Sequence, residues 1–162
     1  MDPSSWLLIA VYVLLLMASA YFSATEMAYS SVSKIKLLSY LDEDVKNADL
    51  ALRIRDKYDL YLTTLLVGNN LVNCGVAAVA TIFSGHVYVA LISSGVSVAE
   101  SIVTTVATAI TTVAVFVFAE ALPKNYAKDM PEKWAMSAAP SLRLVCYILY
   151  PITVIFMGIS KL

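Results

Sequence analysis

The sequence predicts an all-α membrane protein: three transmembrane helices, a cytoplasmic helical hairpin and a juxtamembrane amphipathic belt, in one domain over 1–162. Three observations predict it. Hydrophobic residues make up 60% of the chain and charged ones 14%, with a mean hydropathy of +0.77, more apolar surface than a soluble core of this size can hide. The apolar residues are gathered into runs of membrane-crossing length. The 11 Lys and Arg fall in two stretches, between Lys34 and Lys57 and from Lys124 onward.

The first span is predicted over about 5–31. Trp6–Phe22 has no charge, and Ser23-Ala24-Thr25-Glu26-Met27-Ala28-Tyr29-Ser30-Ser31 continues it as a polar, helix-compatible inner end. Met1-Asp2-Pro3 carries no Lys or Arg, so a cleaved leader is not expected. From about 34 to 58, charged residues alternate with Ile35, Leu37, Leu38, Leu41, Val45, Leu50, Leu52 and Ile54, the pattern of a solvated amphipathic hairpin. The second span, about 60–92, is longer than the hydrocarbon requires and is interrupted by Gly68-Asn69-Asn70 and Asn73, so it is expected to be broken or tilted.

A short linker with Ser93, Ser94, Gly95 and Ser97 leads to the third span, about 98–122, and makes the two an antiparallel pair. Residues 124–162 are mixed, and their apolar piece Leu144–Ile159 is split by Pro151. A fourth pass would carry Lys161 outward, so this segment is expected to lie along the inner surface as the belt. The positive-inside rule then places the N-terminus outside and the hairpin and C-terminus in the cytoplasm, giving a multi-pass protein of the cell (plasma) membrane. No internal repeat supports an inverted-repeat transporter.

Polar groups inside a span are expensive and need a partner or a purpose. Ser23, Glu26 and Ser30 share one face of the first helix. Asn69, Asn70 and Asn73 converge on one side of the second. In the third, Pro123 has no N–H, so the carbonyl of Ala119 loses its helical partner beside Glu120 and Lys124. Hydroxyls, amides, carboxylates and a free carbonyl are all-oxygen donors, which suit a hard cation such as Mg²⁺ or Na⁺ rather than zinc or copper. Taken singly, Glu26 and Glu120 also fit positions at the cytoplasmic interface. The stripe of Ser101, Thr104 or Thr105, Thr108, and Thr111 or Thr112 suits helix packing or a dimer face. Cys74 and Cys146 read as small packing residues, and His86 as an interfacial or loop residue.

Phe22-Ser23-Ala24-Thr25-Glu26-Met27-Ala28, Leu66-Val67-Gly68-Asn69-Asn70-Leu71-Val72-Asn73 and Phe118-Ala119-Glu120-Ala121-Leu122-Pro123-Lys124 resemble the three signature segments of the CNNM/CorB/CorC membrane domain. One departure is Ala119, where the family often has Gly. The resemblance implies a Mg²⁺ transporter, an exporter, working as a homodimer in the lipid bilayer by alternating access, with Na⁺ as the coupling ion suggested for the family. It further implies that Ser23, Asn70, Asn73 and Glu120 supply side-chain oxygens and Ala119 or Gly68 a carbonyl, with Asn69 and Glu26 as second choices. Relatives continue into a cytoplasmic CBS pair that binds ATP, which these 162 residues do not include. The other reading is a non-transporting anchor or regulator of a cytoplasmic Mg²⁺ or nucleotide sensor. An intramembrane hydrolase using Glu26 and Glu120 lacks a nucleophile with a base beside it, so no enzymatic activity is expected, nor any nucleic-acid partner.

Overall fold

A bilayer offers the backbone no water, so apolar runs of this length close their hydrogen bonds within themselves as helices. The computed structural model describes residues 3–160, with side chains over 6–154, and every element among them is helical. The order is α1 Pro3–Ser31, α2 Lys34–Asp42, α3 Ala48–Asp56, α4 Tyr58–Ser93, α5 Glu100–Ala114, a π-helical segment Val115–Ala121, α6 Leu122–Asp129 and α7 Pro131–Ser160. Four stretches are long and apolar enough to cross a membrane: Trp6–Ser31, Tyr58–Ser93, Glu100–Asp129 and Pro131–Val154. The chain is a multi-pass membrane protein.

Of the two outcomes expected for the second span, broken or tilted, the first is not found, and the third run and the final segment differ in extent from the sequence expectation. The Gly68-Asn69-Asn70 stretch does not break α4, which runs unbroken for 36 residues, about 54 Å at 1.5 Å per residue. Its interruptions survive as helix because α1 packs on them and supplies a hydroxyl to the amides. The third run does not stop at Leu122 but continues to Asp129. Just before Pro123 the backbone widens into the π-helical segment, where the Leu122 N–H donates to the Val117 carbonyl. The final segment is one helix of 30 residues with Pro140 and Pro151 inside it, not a piece split at Pro151. Both prolines are exposed. A proline whose ring faces outward bends a helix without ending it when neighbours hold both sides. Lys161, on which the argument against a fourth pass turned, lies outside the described residues. His86 sits within α4 on an exposed position, not in a loop.

α1 and α4 run antiparallel in a regular register. A Cβ built on Gly75 would stand 3.3 Å from Leu15 Cδ1 and one on Gly68 would stand 2.7 Å from the Phe22 ring. Further along, the Ser30 and Tyr58 hydroxyls meet at 2.7 Å. Around the α1 end of this pair gathers a core of Phe22, Tyr29, Leu37, Ile54, Leu65 and Leu142. α2 and α3 pack on each other beneath it, joined by a turn in which Asp44 and Asn47 take left-handed backbone. Lys34 pairs with Asp56 at 2.6 Å, and Lys36 reaches the buried Glu132 of α7 at 3.2 Å.

α7 is tied to the same end of the molecule. Tyr29 Oη donates to the Ala135 carbonyl at 2.9 Å, Trp134 Nε1 donates to Thr25 Oγ1 at 3.2 Å, and Tyr21 Oη lies 2.7 Å from Ser141 Oγ. The buried Thr64 hydroxyl lies 3.2 Å from Thr153 Oγ1 and 3.6 Å from Cys146 Sγ. At the opposite end, α1, α4 and α5 border an open cavity of about 500 Å³ lined by Leu8, Tyr12, Phe83, Val106 and Ile110 among others.

Candidate functional site

The close approach at Gly68 sets the site. With no side chain at Gly68, the Phe22 ring lies against the α4 backbone, and the next turn of α1 meets the asparagines. The Ser19 hydroxyl lies 2.9 Å from Asn69 Oδ1 and 2.8 Å from Asn73 Oδ1. Three oxygens therefore converge, and one hydroxyl proton serves both amide oxygens. One turn further along α1, Ser23 is fully buried and its Oγ has no hydrogen-bond partner. A buried hydroxyl without a partner is uncommon, and each instance asks for an explanation.

The third element is the widened turn of the chain after α5. The π-helical segment packs on α1 and carries Ala119, fully buried, and Glu120, half-buried. The α-helical donor to the Ala119 carbonyl would be Pro123, which has no N–H. Single π-turns inside helices recur at functional sites. Lys124, one turn beyond Glu120, reaches back across to α1 and pairs with Glu26 at 3.4 Å.

Of the residues singled out in the sequence, Asn69 and Asn73 come together on one hydroxyl, Glu26 and Lys124 pair with each other, and Ser23, Gly68 and Ala119 are buried. Asn70 departs from the expected convergence: it is exposed, on the side of α4 turned away from Ser19. The reason is rotational, since Asn69 and Asn73 are four apart and share a face, whereas Asn70 is turned about 100° from Asn69. The residue missed is Ser19. It stands four before Ser23, on the same face of α1, and it is the packing of α1 on α4 that sets it opposite both amides. Among the described residues, no three His, Cys, Asp or Glu side chains gather as a metal site, so the donors here are hydroxyl, amide and carbonyl oxygens with isolated carboxylates.

A helical membrane domain in which α1 packs against both the asparagine face of α4 and the π-helical segment defines the class. Residues 10–162 match the model described as the cyclin M transmembrane N-terminal domain. The chain belongs to the CNNM family. It is 31% identical over 150 residues to a UPF0053 protein of Haemophilus influenzae, covering 93% of this chain and 33% of that protein. It is 29% identical over 144 residues to the UPF0053 inner membrane protein YfjD of Escherichia coli, covering 89% of this chain and 31% of that one. A chloroplastic DUF21 domain-containing protein of Arabidopsis thaliana is 26% identical over 156 residues, 94% of this chain and 22% of its own length. The chain thus spans about a third of the length of its bacterial relatives.

Proposed function

We propose that this domain carries Mg²⁺ across the membrane, outward from the cytoplasm, by alternating access around an all-oxygen site. The observation that supports it most is the pairing of Ser19 with Asn69 and Asn73 beside the buried, unpartnered Ser23. Hydroxyl and amide oxygens held close together are the donors that a hard dication accepts. Glu120 supplies the charge, and the Ala119 carbonyl, deprived of its usual donor, supplies a further oxygen. Mg²⁺ sheds water reluctantly, so several protein oxygens in fixed positions favour it over larger cations. Asn70, exposed on the single chain, joins the site in this reading only across a homodimer or after α4 rotates.

In the bilayer we assign three spans, α1, α4 and α5 through α6, with α7 as a belt at the inner surface. The hydrogen bonds of α7 support this, because residues 134–153 of it find their partners within Tyr21–Tyr29 at the end of α1, about 12 Å of helix, and at Thr64 near the start of α4. The distribution of Lys and Arg supports an N-terminus outside and a C-terminus in the cytoplasm. The inner-membrane name of the Escherichia coli relative favours the cell membrane as the location. Na⁺ is the proposed coupling ion, and a cytoplasmic ATP-binding CBS pair is the proposed neighbour in longer relatives.

The chain reconstituted in liposomes with a Mg²⁺-sensitive dye inside tests this. Mg²⁺ movement is expected, and Asn73→Ala and Glu120→Ala are each expected to abolish it. Binding of Mg²⁺ with no movement in the unaltered chain would favour an anchor or regulator of a cytoplasmic sensor instead.

A further inference from the structure

Lys124 and its partner Glu26 are left unused by the transport reading. A lysine beside a site for a dication is an electrostatic obstacle, and its placement here is specific. It follows Pro123, at the start of α6, on a helix that packs along α1. Its ammonium stands 3.4 Å from Glu26, with the two side chains 32% and 24% exposed. Glu120, one turn earlier on the same chain segment, forms no ion pair among the described residues. At 3.4 Å, with both groups still reached by solvent, a single ion pair contributes little to stability, so the Glu26 contact does not account for the lysine by itself.

We propose that Lys124 is a tethered counter-cation, held by Glu26, that sets how tightly the site binds its dication and how readily it lets go. The assignment rests on the transport reading above. Two carboxylates alone would give the empty site a charge of about −2, and a dication would neutralise it into a tight, slowly released complex. With the ammonium present, the empty site carries about −1 and the loaded site about +1, so Lys124 weakens binding and repels the ion on release. Glu26 positions the lysine: it draws the ammonium toward α1 and away from Glu120. Lys124 is a positioning and affinity-setting residue, and it does not touch the ion.

The experiment measures Mg²⁺ binding by calorimetry on the chain in lipid nanodiscs, alongside Mg²⁺ movement in liposomes. Lys124→Gln is expected to tighten binding by at least about tenfold while slowing movement. Lys124→Arg keeps the charge and is expected to bind as the unaltered chain does. Glu26→Gln releases the ammonium toward Glu120 and is expected to weaken binding. Glu26→Gln/Lys124→Gln removes both partners of the pair together, so neither is left without the other if the single variant folds poorly, and is expected to recover binding at least to the unaltered level. Lys124→Gln binding no more tightly than the unaltered chain overturns the proposal. So does a double variant that binds no better than Glu26→Gln, since Glu26 would then act as a ligand in its own right. Absence of binding in the unaltered chain has a different meaning: it sinks the transport reading and this assignment with it.

Discussion

From Trp6 to Met17 no described position of α1 is buried, and Trp6, Leu7, Leu14 and Met17 are exposed by 62–66%, whereas from Ser19 to Val32 most positions are buried. The same contrast divides α4 and the rest of the molecule. One end holds Tyr29, Leu37, Ile54, Leu65 and Leu142 in a close-packed core, with hydroxyls and amides paired across helices. The other presents Val89, Val106, Ile110 and Val113 outward around an apolar cavity. Lipid tails are as apolar as these side chains, so packing them against protein gains little over leaving them in the bilayer. Helices come together where small residues allow close approach and polar groups demand partners, and here that is the end carrying the candidate site.

Substitutions in the two regions should therefore differ in size. The largest effect is expected for Leu142→Ala, which empties a fully buried position of α7. It should lower stability by about 2–5 kcal/mol in denaturant unfolding of the solubilised chain. Gly68→Val comes next: any Cβ there would stand 2.7 Å from the Phe22 ring, and pushing that buried ring aside should destabilise by about 1–3 kcal/mol. Tyr29→Phe removes the hydroxyl that holds the Ala135 carbonyl and should cost about 1 kcal/mol by the same measurement. At the open end, Val113→Ala should change stability by less than about 0.5 kcal/mol, since Val113 is 63% exposed where lipid takes the place of a missing methyl. An equal loss at Val113 and at Leu142 would erase the contrast, and a graded fall toward the Ser19 level would sharpen it.

Much of this was legible in the sequence because hydropathy and charge act over whole helices. The three apolar runs, the charged segment between the first two and the polar end of α1 each follow from long-range composition. What composition leaves open is how local irregularities are absorbed. Gly68, Asn69 and Asn70 in so long a run read as a break or a tilt, and α4 stays helical through them, with Phe22 filling the space at Gly68 and Ser19 bonding the amides of Asn69 and Asn73. Pro151 read as a split in the last apolar piece, yet the helix continues through it and Thr153 beyond it is held by Thr64 of α4. Pro123 read as the close of a span, yet the chain widens into a π-helical turn before it and continues to Asp129.

The site follows the same rule. Ser23, Asn69, Asn73 and Glu120 stand out as polar residues in apolar runs, so spacing alone nominates them. Ser19 does not stand out, because a single serine is unremarkable in a membrane helix. Only the antiparallel register of α1 and α4 identifies it, by setting it opposite both amides. Asn70 errs in the other direction: its neighbourhood in sequence suggested convergence, and helix rotation turns it outward.

The central claim is that oxygens from α1, α4 and the π-helical segment enclose one dehydrated or partly dehydrated Mg²⁺. A high-resolution map of the chain in lipid with saturating Mg²⁺ tests it most directly. The expected result is a single ion among Ser23, Asn73 and Glu120 with oxygens arranged octahedrally at about 2.1 Å. A map in which Ser19 still bridges Asn69 and Asn73, Glu120 faces bulk water and no ion lies between the helices would contradict it.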